Sequence, residues 1–337
     1  MVNKTTLLQA FAILVLPVFL VTVIFNILAG LPDTGAFVFL TTTTAISDRF
    51  ISQITPVGFT FIIWGLVYVW QLVWIIYELT LLCRKSASGE PLFLKPILLT
   101  TAFFGIYILS LVLNVFWLFM FDRELIGLAF VTLAGISVTL YICLGLSYLA
   151  MYKNRFILSN QSRRVDIVLI SIFVHNGLAL YAAWTTVATF INMAIVITYQ
   201  SLPPIDPGTA STIALGFLAA VIIIYVAVDL SVFDKYTRYT FTPYPVVIWA
   251  FVGIIARGYN LLDANTIFVL VLLALTVVAF LVKIALAIYR AMTQPLFPPP
   301  GSGPDETKGE EVTPEEDMEK ATSTVEPSVT ANEVEHG

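Results

Sequence analysis

Eight stretches of mainly apolar residues recur along this 337-residue chain, at 6–30, 57–83, 96–121, 125–152, 167–199, 212–234, 245–260 and 265–290. A helix that crosses a bilayer needs roughly 20 such residues, because no other single segment satisfies its own backbone in hydrocarbon. The runs therefore predict an all-α polytopic membrane protein of about eight transmembrane helices, the seventh run being the shortest. Only 12% of residues are charged, about half the usual share of a soluble protein. The first run is longer than the apolar core of a signal peptide and lacks a small-residue cleavage site, so it reads as a spanning helix.

Basic residues set the expected orientation, since short cytoplasmic loops are rich in Lys and Arg. With a cytoplasmic N-terminus, inner segments hold Lys4, Arg84, Lys85, Lys95, Lys153, Arg155, Arg163, Arg164, Lys235, Arg238 and Arg290, against Arg49, Arg123 and Arg257 outside. Both termini then face the cytoplasm, and the sequons at Asn3 and Asn160 stay unglycosylated. The net charge of −5 comes largely from residues 295–337, a Pro-, Glu-, Ser- and Thr-rich stretch expected to be a disordered cytoplasmic tail. The loop 31–56 is long for a connection between helices and reads as a lid.

No Gly-rich phosphate loop, nucleophile–base arrangement or metal-ligand spacing occurs, so neither an enzyme nor a metal or other cofactor is expected. Nucleic acid is not an expected partner. Cys83 and Cys143 read as packing residues, and no internal repeat stands out. Ionisable groups within apolar runs are costly and so draw attention. Glu78 lies near the inner end of the second run and reads as structural, reaching the interface. His175 reads as a helix–helix contact or a proton relay. Asp229 and Lys283 fall at one depth in the sixth and eighth runs and are expected to pair, as a structural tie or as a coupling site.

In the segment "NGLALYAAWTTVATFIN", Asn176, Trp184 and Asn192 recur at eight-residue spacing, suggesting one polar aromatic face toward the second and third runs. The second run carries Pro56, Trp64 and Tyr68; the third carries Leu113, Asn114 and Trp117, followed by Phe121 and Arg123; the fifth carries Tyr181, Trp184 and Asn192. Trp64, Asn114, Trp184 and Asn192 are expected to line one pocket in the outer half, beneath the 31–56 loop. The alternative is a polar seam that ties the helices together.

These three patterns resemble the TspO/translocator-protein family of tryptophan-rich sensory proteins, in order and spacing, over residues 1–200. The resemblance implies a five-helix bundle (1–200), followed here by three additional helices (201–294) and the tail (295–337). It implies binding of a planar hydrophobic molecule, porphyrin-like, sterol-like or otherwise lipid-like, for transport or sensing, with Trp64, Tyr68, Asn114, Trp117, Tyr181, Trp184 and Asn192 at the ligand. A homodimer is among the states left open. The chain departs from the family at Leu180, where a Pro is usual, and at Phe61, displaced by one position. It also lacks the basic residue of the family's sterol motif after the fifth run; weak matches to that pattern fall instead at Leu149–Arg155 and Val232–Arg238. An ion- or proton-coupled transporter using Asp229, Lys283 and His175, and a receptor-like signalling protein, are the competing readings.

Overall fold

The computed structural model describes residues 3–31, 38–85, 89, 91–161 and 163–297. Helices α1 (Lys4–Gly30), α3 (Ile63–Cys83), α4 (Thr101–Asp122) and α5 (Ile126–Lys153) are followed by a central rod, Arg164–Gln200. The rod comprises α7 (Arg164–Leu169), a π-helical turn (Ile170–His175) and α8 (Asn176–Gln200). Then come α9 (Pro207–Leu230), α11 (Pro243–Arg257) and α12 (Ala264–Thr293). Three short helices interrupt the connections: α2 (Thr43–Arg49), α6 (Arg155–Asn160) and α10 (Asp234–Thr237). A 3-10 turn, Gly58–Ile62, leads into α3.

Side-chain caps define several starts by accepting backbone N–H groups that the first turn leaves free. Asn3 accepts from Thr5, Thr100 from Phe103 and Asp206 from Thr209. In α1 the residues Leu8, Ala12, Val15 and Phe19 are buried, spaced to face α4, whereas Ile13, Leu14, Ile24 and Ile27 are exposed apolar residues. Exposed apolar faces of this extent belong to a helix solvated by lipid.

Among the described residues, seven helices are long and apolar enough to cross a membrane. The seventh run yields less than its hydropathy promises. Helix α11 has 15 residues, or about 22 Å at 1.5 Å per residue, against a hydrocarbon core of about 30 Å. The missing depth is filled by residues 231–242, which fold back into the bundle: Asn176 on α8 binds the backbone of Tyr239, Phe241 and Thr242 there.

The division expected at residue 200 is not a packing boundary. Helices α9 and α11 both pack on α8, and Met1–Pro300 forms one compact unit. From residue 298 onward the expected tail lies outside the described residues.

Candidate functional site

Four helices and one loop converge at one end of the bundle. Trp64 of α3 stacks on Tyr68 one turn along (5.7 Å, 17°) and on Trp117 of α4 (6.0 Å, 25°), which in turn stacks on Phe121 (5.4 Å, 20°). The four rings form a near-parallel ladder, built from two i, i+4 pairs whose side chains share a helix face. Trp184 and Tyr181 of α8 meet Trp64 edge-on at 6.2 and 5.9 Å. Such edge and offset contacts suit the ring quadrupoles and hold the indole planes in place.

The ladder and Trp184 wall a cavity of about 330 Å³, together with Phe61, Asn26 of α1 and Asn192 of α8. Thr43, Thr44 and Ser47 of α2, with Pro56, add to its wall on the lid side. Three buried polar atoms on residues lining this cavity make no hydrogen bond to the described residues: Trp117 Nε1, Trp184 Nε1 and Asn192 Oδ1. Asn192 Nδ2 is occupied, donating to Ala188 O at 2.9 Å. Buried polar atoms are normally partnered, so three orphans on residues of one cavity single out its wall; each atom is itself covered and reaches a ligand only when its side chain turns.

Asn114 and Tyr181 play a different part from the pocket walls expected of them. Asn114 donates to Tyr181 Oη at 3.0 Å, and its Oδ1 accepts from Asn26 Nδ2 at 2.7 Å and from Tyr68 Oη at 3.5 Å. Neither residue lines the cavity. They form a hydrogen-bonded layer behind it, because an amide buried in lipid takes protein partners wherever they are in reach. This layer positions Tyr68 and Asn26. Asn26 is absent from the sequence motifs, and an amide inside an otherwise apolar run was the signal for it.

The 38–56 segment is fixed over this end by many anchors. Asp122, buried at the end of α4, accepts from the amides of Leu40 (2.8 Å) and Thr41 (3.1 Å). Arg49 pairs with Glu124, and Tyr199 donates to Ile51 O at 3.1 Å. The C-terminal helices contribute as well: Arg257 of α11 binds Pro56 O (3.1 Å) and Asp48 (3.0 Å). Asn265 of α12 donates to Gln53 Oε1 at 2.6 Å, and Ser211 of α9 accepts from the Gln53 amide at 3.2 Å.

A family model described as TSPO-like protein matches residues 12–286. The chain belongs to the TSPO-like protein family. The match runs well past residue 200, so α9, α11 and most of α12 fall within this TSPO-like family rather than outside it as the five-helix resemblance implied. No curated protein and no solved structure matches the chain.

Elsewhere in this TSPO-like protein the polar residues are largely structural. Eight residues turn a helix by about 80° beyond two full turns, so Asn176 and Asn192 point about 160° apart. The common face expected of them does not exist. Asn176 Oδ1 accepts from Phe241 N (2.8 Å) and Thr242 N (3.2 Å), while its Nδ2 donates to Ser171 O and Tyr239 O (both 2.7 Å). Lys283 Nζ lies 2.9 Å from Asp229 Oδ1 and donates to Thr237 O at 3.0 Å; Tyr244 Oη donates to Asp229 Oδ2 at 2.6 Å. His175 Nε2 is 2.9 Å from Ser147 Oγ and packs on the Tyr148 ring. Glu78 does not reach the interface: it is wholly buried with Ile75, Tyr77 and Leu81, on a face of α3 that stays against protein.

Proposed function

We propose that this TSPO-like membrane protein binds a planar hydrophobic ligand, of the porphyrin class or another lipid-like molecule, in the aromatic cavity beneath the 38–56 lid, for transport or sensing. The observation that carries this reading is the coincidence of the ring ladder with the three unpartnered polar atoms of Trp117, Trp184 and Asn192. Near-parallel rings suit a flat apolar body. Two indole N–H donors suit an acceptor such as a carboxylate or carbonyl on its rim, and Asn192 Oδ1 suits a donor. Aromatic walls with a few placed polar groups are the usual build of a small-molecule site.

In this reading the protein is a binding protein rather than an enzyme. The Asp229–Lys283 pair is a tie between α9 and α12, since Tyr244 and Thr237 add hydrogen bonds from the protein to each member. Both termini lie on the cytoplasmic side, a reading supported by the excess of Lys and Arg in the segments at the end opposite the lid.

Tryptophan quenching by protoporphyrin tests the site. Wild type should quench saturably. Trp184→Phe keeps a ring but loses one donor, and a lost hydrogen bond of about 1 kcal/mol weakens binding about fivefold. Trp64→Ala removes the centre of the ladder and should weaken binding further while the folded fraction is unchanged. The reading fails if wild type shows no saturable quenching, or if both variants bind as wild type does.

A further inference from the structure

A cavity larger than the aromatic one lies away from the lid, along the side of the bundle between α5 and α9. It measures about 730 Å³ and is lined by Tyr141, Tyr148, Val221, Tyr225, Phe233 and Tyr236 among others, with Leu149 and Ile224 exposed at its margin. Helix α10 touches both α5 and α9 at the end opposite the lid. A smaller cavity there shares Tyr148 and Tyr236 and adds Tyr152, Arg155 and Lys235. The apolar groove thus leads to a basic mouth.

The mouth is organised. Tyr152 and Tyr236 meet edge-on at 5.0 Å. The Arg155 guanidinium sits 4.0 Å from the Tyr152 ring, and Lys235 Nζ lies 5.3 Å from both rings. Cation–π contact holds the two cations side by side. No carboxylate pairs with either one among the described residues. The nearby acid Asp234 is taken by Arg238 (2.6 Å) and Arg290 (2.8 Å), and Asp229 by Lys283.

We propose that this groove is an anionic phospholipid site, with an acyl chain along α5 and α9 and the headgroup phosphate against Arg155 and Lys235. Length supports it. From Tyr141 to Tyr152 the helix rises about 17 Å, close to half of a hydrocarbon core of about 30 Å, so the groove spans one leaflet. Position and charge support it too: exposed apolar walls at membrane depth lead, where headgroups lie, to cations with no carboxylate partner among the described residues, an arrangement that recruits acidic lipids. The two weak motif matches at Leu149–Arg155 and Val232–Arg238 acquire a role here, since they supply both tyrosines and both cations. This site is separate from the aromatic cavity and does not depend on it.

Native mass spectrometry of the full chain, released from vesicles of equal phosphatidylglycerol and phosphatidylcholine, tests the assignment. Wild type should retain phosphatidylglycerol preferentially, at roughly fivefold per basic residue. Arg155→Gln with Lys235→Gln should bring retention of the two lipids close to equal. Gly145→Trp should abolish retention of both, because Gly145 lines the groove and a Cβ there meets nothing within 4 Å, so the new ring fills space rather than displacing protein. A site for a free anion would be indifferent to that filling. Equal retention of both lipids by wild type overturns the proposal. So does an undiminished preference in the double variant, or full retention by Gly145→Trp in a protein that elutes as wild type does.

Discussion

Neutralising one member of the Asp229–Lys283 pair should destabilise the protein more than neutralising both. The side chains are almost fully buried, and at 2.9 Å their attraction is roughly 6 kcal/mol for an effective dielectric of about 20. Desolvating two ions costs several kcal/mol each, so the intact pair contributes little beyond what two neutral groups would. The single variants differ sharply from that balance. Lys283→Gln leaves a carboxylate held only by Tyr244, and Asp229→Asn leaves an ammonium held by Thr237 O and an amide oxygen. Removing one partner of a buried pair costs about 3–5 kcal/mol. The double variant Asp229→Asn with Lys283→Gln leaves two neutral, hydrogen-bonding groups and should cost about 1–3 kcal/mol, the range for imperfectly satisfied buried polar groups. The coupling energy should therefore reach or exceed about 3 kcal/mol, the top of the usual range for contacting pairs. Denaturation in mixed micelles with increasing SDS, followed by tryptophan fluorescence, reads all four corners of the cycle. Additive losses would refute the reasoning, showing that the two charges do not stabilise each other despite their contact.

Three further outcomes follow from the packing and charge. Gly253→Ala should destabilise by about 1–3 kcal/mol, a typical overpacking cost, because the new Cβ would meet Thr60 Cγ2 at 2.7 Å; an unchanged unfolding midpoint would show that the 3-10 turn yields freely. Arg257→Ala should speed amide hydrogen exchange across residues 48–57 and leave α8 unaffected, since it frees Pro56 O and Asp48; unaltered exchange would assign the hold on the lid to the other anchors. Burial alone would raise the Asp234 carboxyl, but Arg238 and Arg290 outweigh it and hold it below the ordinary range. Its pairing is then complete above an ordinary carboxylate pKa of about 3.9 and lost as pH falls through the lowered value, so Asp234→Asn should be less stable than wild type by about 1.5–3 kcal/mol at neutral pH and converge with it under acid conditions.

What the sequence disclosed follows a physical pattern. The long spans were legible because lipid imposes a single requirement, apolar length, that hydropathy measures directly. Trp64, Tyr68, Trp117, Trp184 and Asn192 were legible because motif spacing carried them to one end of the bundle, where all five line the cavity. Asn114 and Tyr181 look identical to these in sequence, and only the hydrogen bonds to Asn26 and Tyr68 show that they stand behind the wall. The lid anchors were hidden because Asp122, Arg257 and Asn265 reach lid partners 81 or more residues away, as in Asn265 to Gln53, with no local pattern to mark them. The short α11 misled because hydropathy counts residues, whereas the fold spends part of that depth on a re-entrant backbone segment that Asn176 binds.

The π-helical turn at Ile170–His175 acts as a phase slip in the central rod. A π turn holds one residue more than an α turn, and such insertions persist where a local need outweighs their cost. Here the slip sets two azimuths independently. Above it, Trp184 and Asn192 are aimed at the cavity. Below it, Asp166 reaches Tyr77 (3.1 Å), Arg84 (3.2 Å) and Arg163 (2.9 Å). Deleting one residue from 170–175 would restore a plain α-helix with both halves in their present azimuths, whereas winding all six residues as α-helix would swing α7 by about 100° relative to α8. The aromatic cavity would keep its walls, while Asp166 would turn away from α3. At this turn a single-residue deletion, which in a plain helix rotates one half against the other, leaves the two halves of the rod in phase.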